Sequence, residues 1–129
     1  MEGVCKILHM NDEEILKALE GAGCDIRETL DETFMGNVAL YRRMLGKFAV
    51  SEIPAQLRAG FEAASVTDVF EVAHELKGVC SNLGLTPLAA LASEITETAR
   101  AGRLDGVGEC LDAFDQTRAR ILAALEERP

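Results

Sequence analysis

The stretch from Thr67 to Gly84 constrains this chain most, because two stripes of opposite character share what reads as one helix. At about 100° per residue, Val69, Val72, Ala73, Leu76, Val79, Cys80 and Leu83 fall on one side, an apolar arc that must be buried. His74 projects roughly 160° from the centre of that arc, with Phe70, Lys77, Gly78 and Ser81 on the same outward side. A core must cover the first stripe, and the second faces solvent.

The outward stripe is equipped for chemistry. Gly78 sits one turn beyond His74, although glycine inside a helix costs about 1 kcal/mol relative to alanine. Removing that side chain clears the space beside the imidazole, and Lys77 sets an ammonium within reach of it. Neutral imidazole is a good nucleophile near pH 7, and a neighbouring cation stabilises an oxyanion delivered to it. The vacancy suits a phosphoryl group. A solvated surface histidine is the plainer alternative, and Lys77 with Gly78 argues against it. His9 lacks such neighbours and is assigned no role.

Ala73-His74-Glu75-Leu76-Lys77-Gly78, followed by Asn82-Leu83-Gly84, resembles the signature of histidine-containing phosphotransfer (HPt) domains. The resemblance runs from about Gly23 to Gly102 and includes the Phe-Met-Gly-Asn-x-x-Leu-Tyr run from Phe34 and the Thr86-Pro87-Leu88 helix start. It implies that His74 accepts a phosphoryl group from a receiver aspartyl phosphate and passes it to another receiver. Lys77 would help to hold that group, Gly78 would leave room for it, and Gly84 would close the helix. Apart from the resemblance, Phe70 is an outward aromatic beside a polar site, which fits either a docking surface or the edge of the core, and it is assigned to docking together with Ser81. The implied partners are response-regulator receiver domains and a hybrid sensor histidine kinase. No cofactor is expected on this chain, since the receiver would bring magnesium. Members often carry Leu-Glu where Ile95-Thr96 stands here, so orientation of the imidazole by that glutamate would have to pass to Glu94 or Glu97. Glu71 and Glu75 are further candidates for the second ring nitrogen.

At 129 residues, the length suits a single HPt domain over residues 1–129, with no room for a kinase domain. With 48% apolar residues and only three prolines, aliphatic helices are favoured over disorder or a β-sandwich. The formal charge of -9 excludes a general nucleic-acid surface, which depends on clustered Lys and Arg. Cys5, Cys24, Cys80 and Cys110 form no metal-ligand spacing, so reduced thiols and no metal site are expected. No apolar run is long enough for a membrane span or signal peptide, and Val4 to Leu8 is too short to anchor anything. A cytoplasmic monomer is the expectation.

The remaining chain reads as helices. Asn11 with Glu14 forms a capping pair that opens a short helix to Glu20, and Asp25 with Glu28 repeats the signal. Ile26, Leu30 and Phe34 mark the buried side of that second helix. From Asn37, the positions Leu40, Met44, Phe48, Leu57 and Phe61 keep one phase, which predicts a single long helix to Ala64 with a bend between Val50 and Pro54. Ser51 could instead cap a fresh helix. Thr67 or Asp68 caps the histidine helix, and Thr86-Pro87 opens the next, lined by Leu88, Leu91, Ala92, Ile95 and Ala99. Gly102 ends it, and Asp105-Gly106 starts the last, whose Val107, Cys110, Leu111, Phe114, Ile121, Leu122 and Leu125 form a seam.

The expected fold is all-α: an antiparallel four-helix bundle over about residues 37–127, with short N-terminal helices over about 12–35 packed on one end. Two other functions fit less of the sequence. One is a non-transferring helical adaptor that docks or sequesters a receiver. The other is an unrelated assembly module, which leaves Lys77 and Gly78 beside an exposed histidine unexplained.

Overall fold

A computed structural model describes residues 10–126, which form seven α-helices. They are α1 Asp12–Gly21, α2 Ile26–Glu32, α3 Val38–Ala49, α4 Ile53–Glu62, α5 Val66–Asn82, α6 Thr86–Arg100 and α7 Val107–Glu126. His9 and Cys5 lie outside the described residues. The chain is all-helical there, as its periodicity predicts.

The packing follows from short connections. Leu83 to Leu85 fold α6 back along α5, the most extensive contact in the protein. Helix α5 also packs on α4, α6 packs on α7, and α7 returns to α4, so these four enclose a common core. Leu57, Val69, Ala73, Leu76, Cys80, Leu88, Ile95, Leu111 and Phe114 fill it, each at most 2% exposed. Deleting one of the large aliphatic side chains there would cost about 2–5 kcal/mol. Arg58 of α4 pairs with Asp112 (3.1 Å) and Asp115 (2.9 Å) of α7 across the outside of the same interface.

The expected long helix is two helices. Pro54 lacks an amide hydrogen and would collide with the carbonyl four residues back, that of Val50, if helical geometry continued. Instead α3 stops at Ala49, and the Ser51 hydroxyl accepts the Ile53 amide at 3.2 Å as α4 begins. The buried phase of α3 also differs from the expectation. Tyr41, Leu45 and Phe48 face inward, whereas Leu40 is half-buried and Met44 is 37% exposed. The Tyr41 hydroxyl donates to the Leu83 carbonyl at 2.7 Å, a buried bond that fixes this rotation of the helix.

The N-terminal helices attach through specific polar contacts. Asn11 and Glu14 form the expected reciprocal capping box on α1. Asp25, expected to cap α2 with its side chain, makes no such bond. Its amide donates to the Gly84 carbonyl (3.0 Å) and to the Thr86 hydroxyl (3.1 Å), joining the start of α2 to the α5–α6 turn. Helix α1 packs on α7 and α2, and Arg42 of α3 pairs with Asp12 at 2.7 Å.

Arg118 occupies a position in the α7 seam between Phe114 and Ile121. Its Nη2 donates to the Ala49 carbonyl at 3.1 Å, and its guanidinium carbon lies 5.5 Å from the Phe48 ring centre. A cation therefore meets the carbonyl end of α3, where the helix dipole favours positive charge. Nε of Arg118 is buried without a hydrogen-bond partner.

Candidate functional site

Helix α5 starts two or three residues earlier than the expected caps indicate. Ser65, not Thr67 or Asp68, is the N-cap, and its hydroxyl accepts the Asp68 amide at 3.2 Å. The helix runs without interruption through Gly78 and ends where Gly84 adopts φ +70°, with the Leu85 amide donating to the Cys80 carbonyl at 2.9 Å. This is the Schellman arrangement that glycine permits. Glycine is required there for a second reason: a Cβ would lie 2.6 Å from both the Asp25 carbonyl oxygen and the Thr29 hydroxyl.

The two stripes separate as the spacing dictates. Val69, Ala73, Leu76, Cys80 and Leu83 are buried, Val72 and Val79 are half-buried, and His74, Gly78 and Ser81 are exposed. Phe70 and Lys77 lie half-buried at the margins. A Cβ built on Gly78 would meet nothing within 4 Å, so the surface beside His74 is open. Lys77 makes no ion pair with a described residue, leaving its ammonium available for an anion brought to that opening.

No described carboxylate orients the imidazole. Among the described residues, neither ring nitrogen of His74 has a hydrogen-bond partner. Glu94 accepts the Cys110 thiol at 2.9 Å, and Glu97 pairs with Arg100 at 3.2 Å. Thr96 is wholly buried and donates to the Ala92 carbonyl at 2.7 Å. Glu71 and Glu75 are exposed and do not bond the ring. The ring instead lies parallel to that of Phe70, one turn earlier, with centroids 5.9 Å apart and an interplanar angle of 9°. The guanidinium carbon of Arg100 lies 5.0 Å from the Phe70 ring centre.

Arg100 is the neighbour that sequence reasoning missed. Its signal is the register of the α5–α6 hairpin: Phe70 stands fourteen residues before Gly84 and Arg100 sixteen after it, so folding at the turn brings them together. Ser81, two turns beyond His74, lines an open groove of about 320 Å³ with Asp25, Glu28, Glu32 and Thr86. Phe70 and Ser81 thus lie on the histidine's side of the helix at opposite ends, Phe70 packed partly on the core and Ser81 at the rim of the groove.

The buried thiols take no part in this surface. Cys24 and Cys80 are unpaired and buried, and Cys110 is unpaired and half-buried. Burial pushes the thiol of Cys80 up to about 12, a rise that nearby Arg118 partly opposes. Cys24 is pushed up to about 11, also by burial. For Cys110 the rise to about 11 comes first from burial, then from its hydrogen bond to Glu94. All three favour the protonated form, which is the unreactive one.

The geometry meets a family match at this point. The family model described as Hpt domain matches residues 49–127, from the last residue of α3 through α7. The chain belongs to the Hpt family, whose members serve histidine phosphotransfer in two-component signalling. They are phosphotransfer intermediates without kinase activity, acting with receiver and kinase partners. The match extends further toward the C-terminus than the sequence resemblance and does not include its segment from Gly23 to Phe48. No curated protein and no solved structure matches the chain. No described helix is long and apolar enough to cross a membrane.

Proposed function

We propose that this protein is a phosphorelay intermediate that receives a phosphoryl group on His74 from a receiver aspartyl phosphate and delivers it to the aspartate of another receiver. The observation that carries this reading is an exposed, unbonded imidazole, on a helix of an Hpt-family chain, beside the open surface at Gly78 and the unpaired Lys77. The supporting scaffold is an antiparallel four-helix bundle formed by α4 to α7, with α1 to α3 completing a single domain.

The unprotonated ring nitrogen donates its in-plane lone pair to phosphorus. The nitrogen–phosphorus bond forms as the bond to the aspartyl oxygen breaks, and the aspartate leaves as a carboxylate. The other ring nitrogen keeps its proton. In the onward step a carboxylate oxygen of the second receiver attacks phosphorus and the imidazole leaves neutral. Lys77 stabilises the charge spread over the phosphoryl oxygens, and Gly78 keeps the approach open. The chain itself needs no cofactor for either step, and the receiver supplies magnesium. A hybrid sensor kinase would stand upstream, with Phe70 and Ser81 flanking the docking surface.

The test is His74→Gln. The wild-type protein should take label from a phosphorylated receiver and yield acid-labile, base-stable phosphohistidine, whereas the variant should take none. Label retained by a folded His74→Gln protein would overturn the reading.

A further inference from the structure

His74 must present an in-plane lone pair, and no hydrogen bond from a described residue fixes its plane. The unprotonated nitrogen of a neutral imidazole carries its lone pair in the plane of the ring, so rotation about the last side-chain bond swings that pair away from an incoming phosphorus. That torsion is broad for histidine when nothing restrains it. A misaligned nucleophile forfeits much of the advantage of being held near its target. Something other than a carboxylate has to restrain this ring.

Phe70 meets the requirement. Helical side chains lean toward the N-terminus, so the His74 ring covers the turn that carries Phe70 and leans away from Gly78. The two rings are parallel within 9° at 5.9 Å, the offset-stacked geometry that aromatic quadrupoles favour. Phe70 is itself restrained. It is half-buried against the core, and the Arg100 guanidinium lies 5.0 Å from its ring centre. Arg100 is tied in turn to Glu97, with Nε 3.2 Å and 3.3 Å from the two carboxylate oxygens. The sequence of contacts therefore runs from α6 to the reactive ring: Glu97, Arg100, Phe70, His74.

We infer that Phe70 is a positioning residue, which fixes the plane of the His74 imidazole by stacking, and that Arg100 of α6 holds Phe70 in that setting. The inference rests on the phosphotransfer reading of His74 and adds how its ring is aimed. Stacking leaves the ring free to make a half-turn about the Cβ–Cγ bond, which puts each nitrogen where a ring carbon stood and keeps the plane, but it resists tilting. An offset aromatic pair biases such a rotor about two- to tenfold toward the stacked setting. The carboxylate that the family often places on α6 is Thr96 here and points at its own helix backbone, so this ring relies on an aromatic neighbour.

The experiment compares Phe70→Leu, Phe70→Tyr and Arg100→Gln, each also combined with Phe70→Leu where that is possible. Its first readout is independent of transfer: ring-proton NMR of His74, whose protons over the Phe70 face should resonate upfield. Phe70→Leu should move them downfield and slow transfer at saturating receiver about three- to tenfold. Phe70→Tyr should restore both the shift and the rate. Arg100→Gln should act in the same direction with a smaller effect, and should add nothing in the Phe70→Leu background. An unchanged ring-proton shift in Phe70→Leu would show that no stack exists in solution. A rate loss that vanishes at saturating receiver would assign Phe70 to docking alone. An undiminished Arg100→Gln effect in the Phe70→Leu background would place Arg100 in direct contact with the phosphoryl group or receiver. If wild-type His74 takes no phosphoryl group from either phosphoramidate or a receiver, the phosphotransfer reading fails, while the ring-proton shift still reports on the stack.

Discussion

The backbone carbonyl of Gly84 accepts the amide of Asp25 at 3.0 Å, so the turn that ends the histidine helix also ties down the N-terminal part of the chain. One residue earlier, the Leu83 carbonyl takes the Tyr41 hydroxyl at 2.7 Å. Both are carbonyls at the C-terminal end of α5 that the helix leaves unpaired, and both are satisfied by segments from before α4. Residues 10–48, which the family match does not include, are thereby bonded to the helix that carries His74.

Gly84→Ala should destabilise the protein by about 3 kcal/mol. The residue has φ +70°, which disfavours a side chain, and the new Cβ would lie 2.6 Å from the Asp25 carbonyl. Denaturant unfolding measures the loss. A change below about 0.5 kcal/mol would mean that the α2 start can shift without cost.

Gly78 should behave in the opposite way. Nothing lies within 4 Å of a Cβ placed there, so Gly78→Ala should gain up to about 1 kcal/mol from helix propensity. Gly78→Leu should fold with wild-type helix content and lose phosphoryl transfer, because its side chain would fill the approach to His74. Normal transfer by a folded Gly78→Leu protein would remove the access argument.

Lys77→Ala should slow phosphoryl transfer about 10- to 100-fold, less than the loss of a buried oxyanion donor because solvent screens the site. Circular dichroism should be unchanged, and Lys77→Arg should recover part of the rate because it keeps the charge but alters the geometry. Two variants at the wild-type rate would reduce Lys77 to a solvated helix residue.

Alkaline pH should destabilise the fold through its buried thiols. Cys80 and Cys24 ionise at about 12 and about 11 when folded, against 9 for an unperturbed thiol. Below pH 9 both states keep their protons and the thiols impose no pH dependence. Between pH 9 and the folded values the unfolded chain binds fewer protons, so stability falls by about 1.4 kcal/mol per pH unit per thiol. Cys80→Ala should lower stability at neutral pH through the cavity it leaves, yet flatten the decline between pH 9 and 12. An unaltered alkaline slope in that variant would show that Cys80 does not contribute.

The sequence made α5 legible because its buried and exposed stripes are both continuous, and glycine at 84 marks its end in chemical as well as periodic terms. The error in α3 has a definite origin. Counting back from Phe48 by four gives Met44 and Leu40, while counting back by three and seven gives Leu45 and Tyr41, and both series are apolar. Burial chose the second, where the Tyr41 hydroxyl finds the Leu83 carbonyl, a partner 42 positions away that no local pattern announces. Arg118 stayed hidden for a related reason: a hydrophobic seam is read by its apolar positions, and the charged residue between Phe114 and Ile121 breaks the pattern without revealing that Ala49 offers it a carbonyl. At the site, His74, Lys77 and Gly78 were readable because they lie within two turns of one helix. The Phe70–Arg100 contact depends on how two helices are folded against each other, which periodicity within either helix does not encode.

His74 stands on the outward stripe of α5, and among the described residues no hydrogen bond links its ring to the interior. A phosphoryl group taken up there would rewire none of the core: the buried side of the same helix would be the same before and after. Such a carrier would store its message in a covalent bond and leave its own shape almost untouched. Whatever distinguishes the loaded from the unloaded protein must then be read at the surface, by a partner close enough to touch the phosphate.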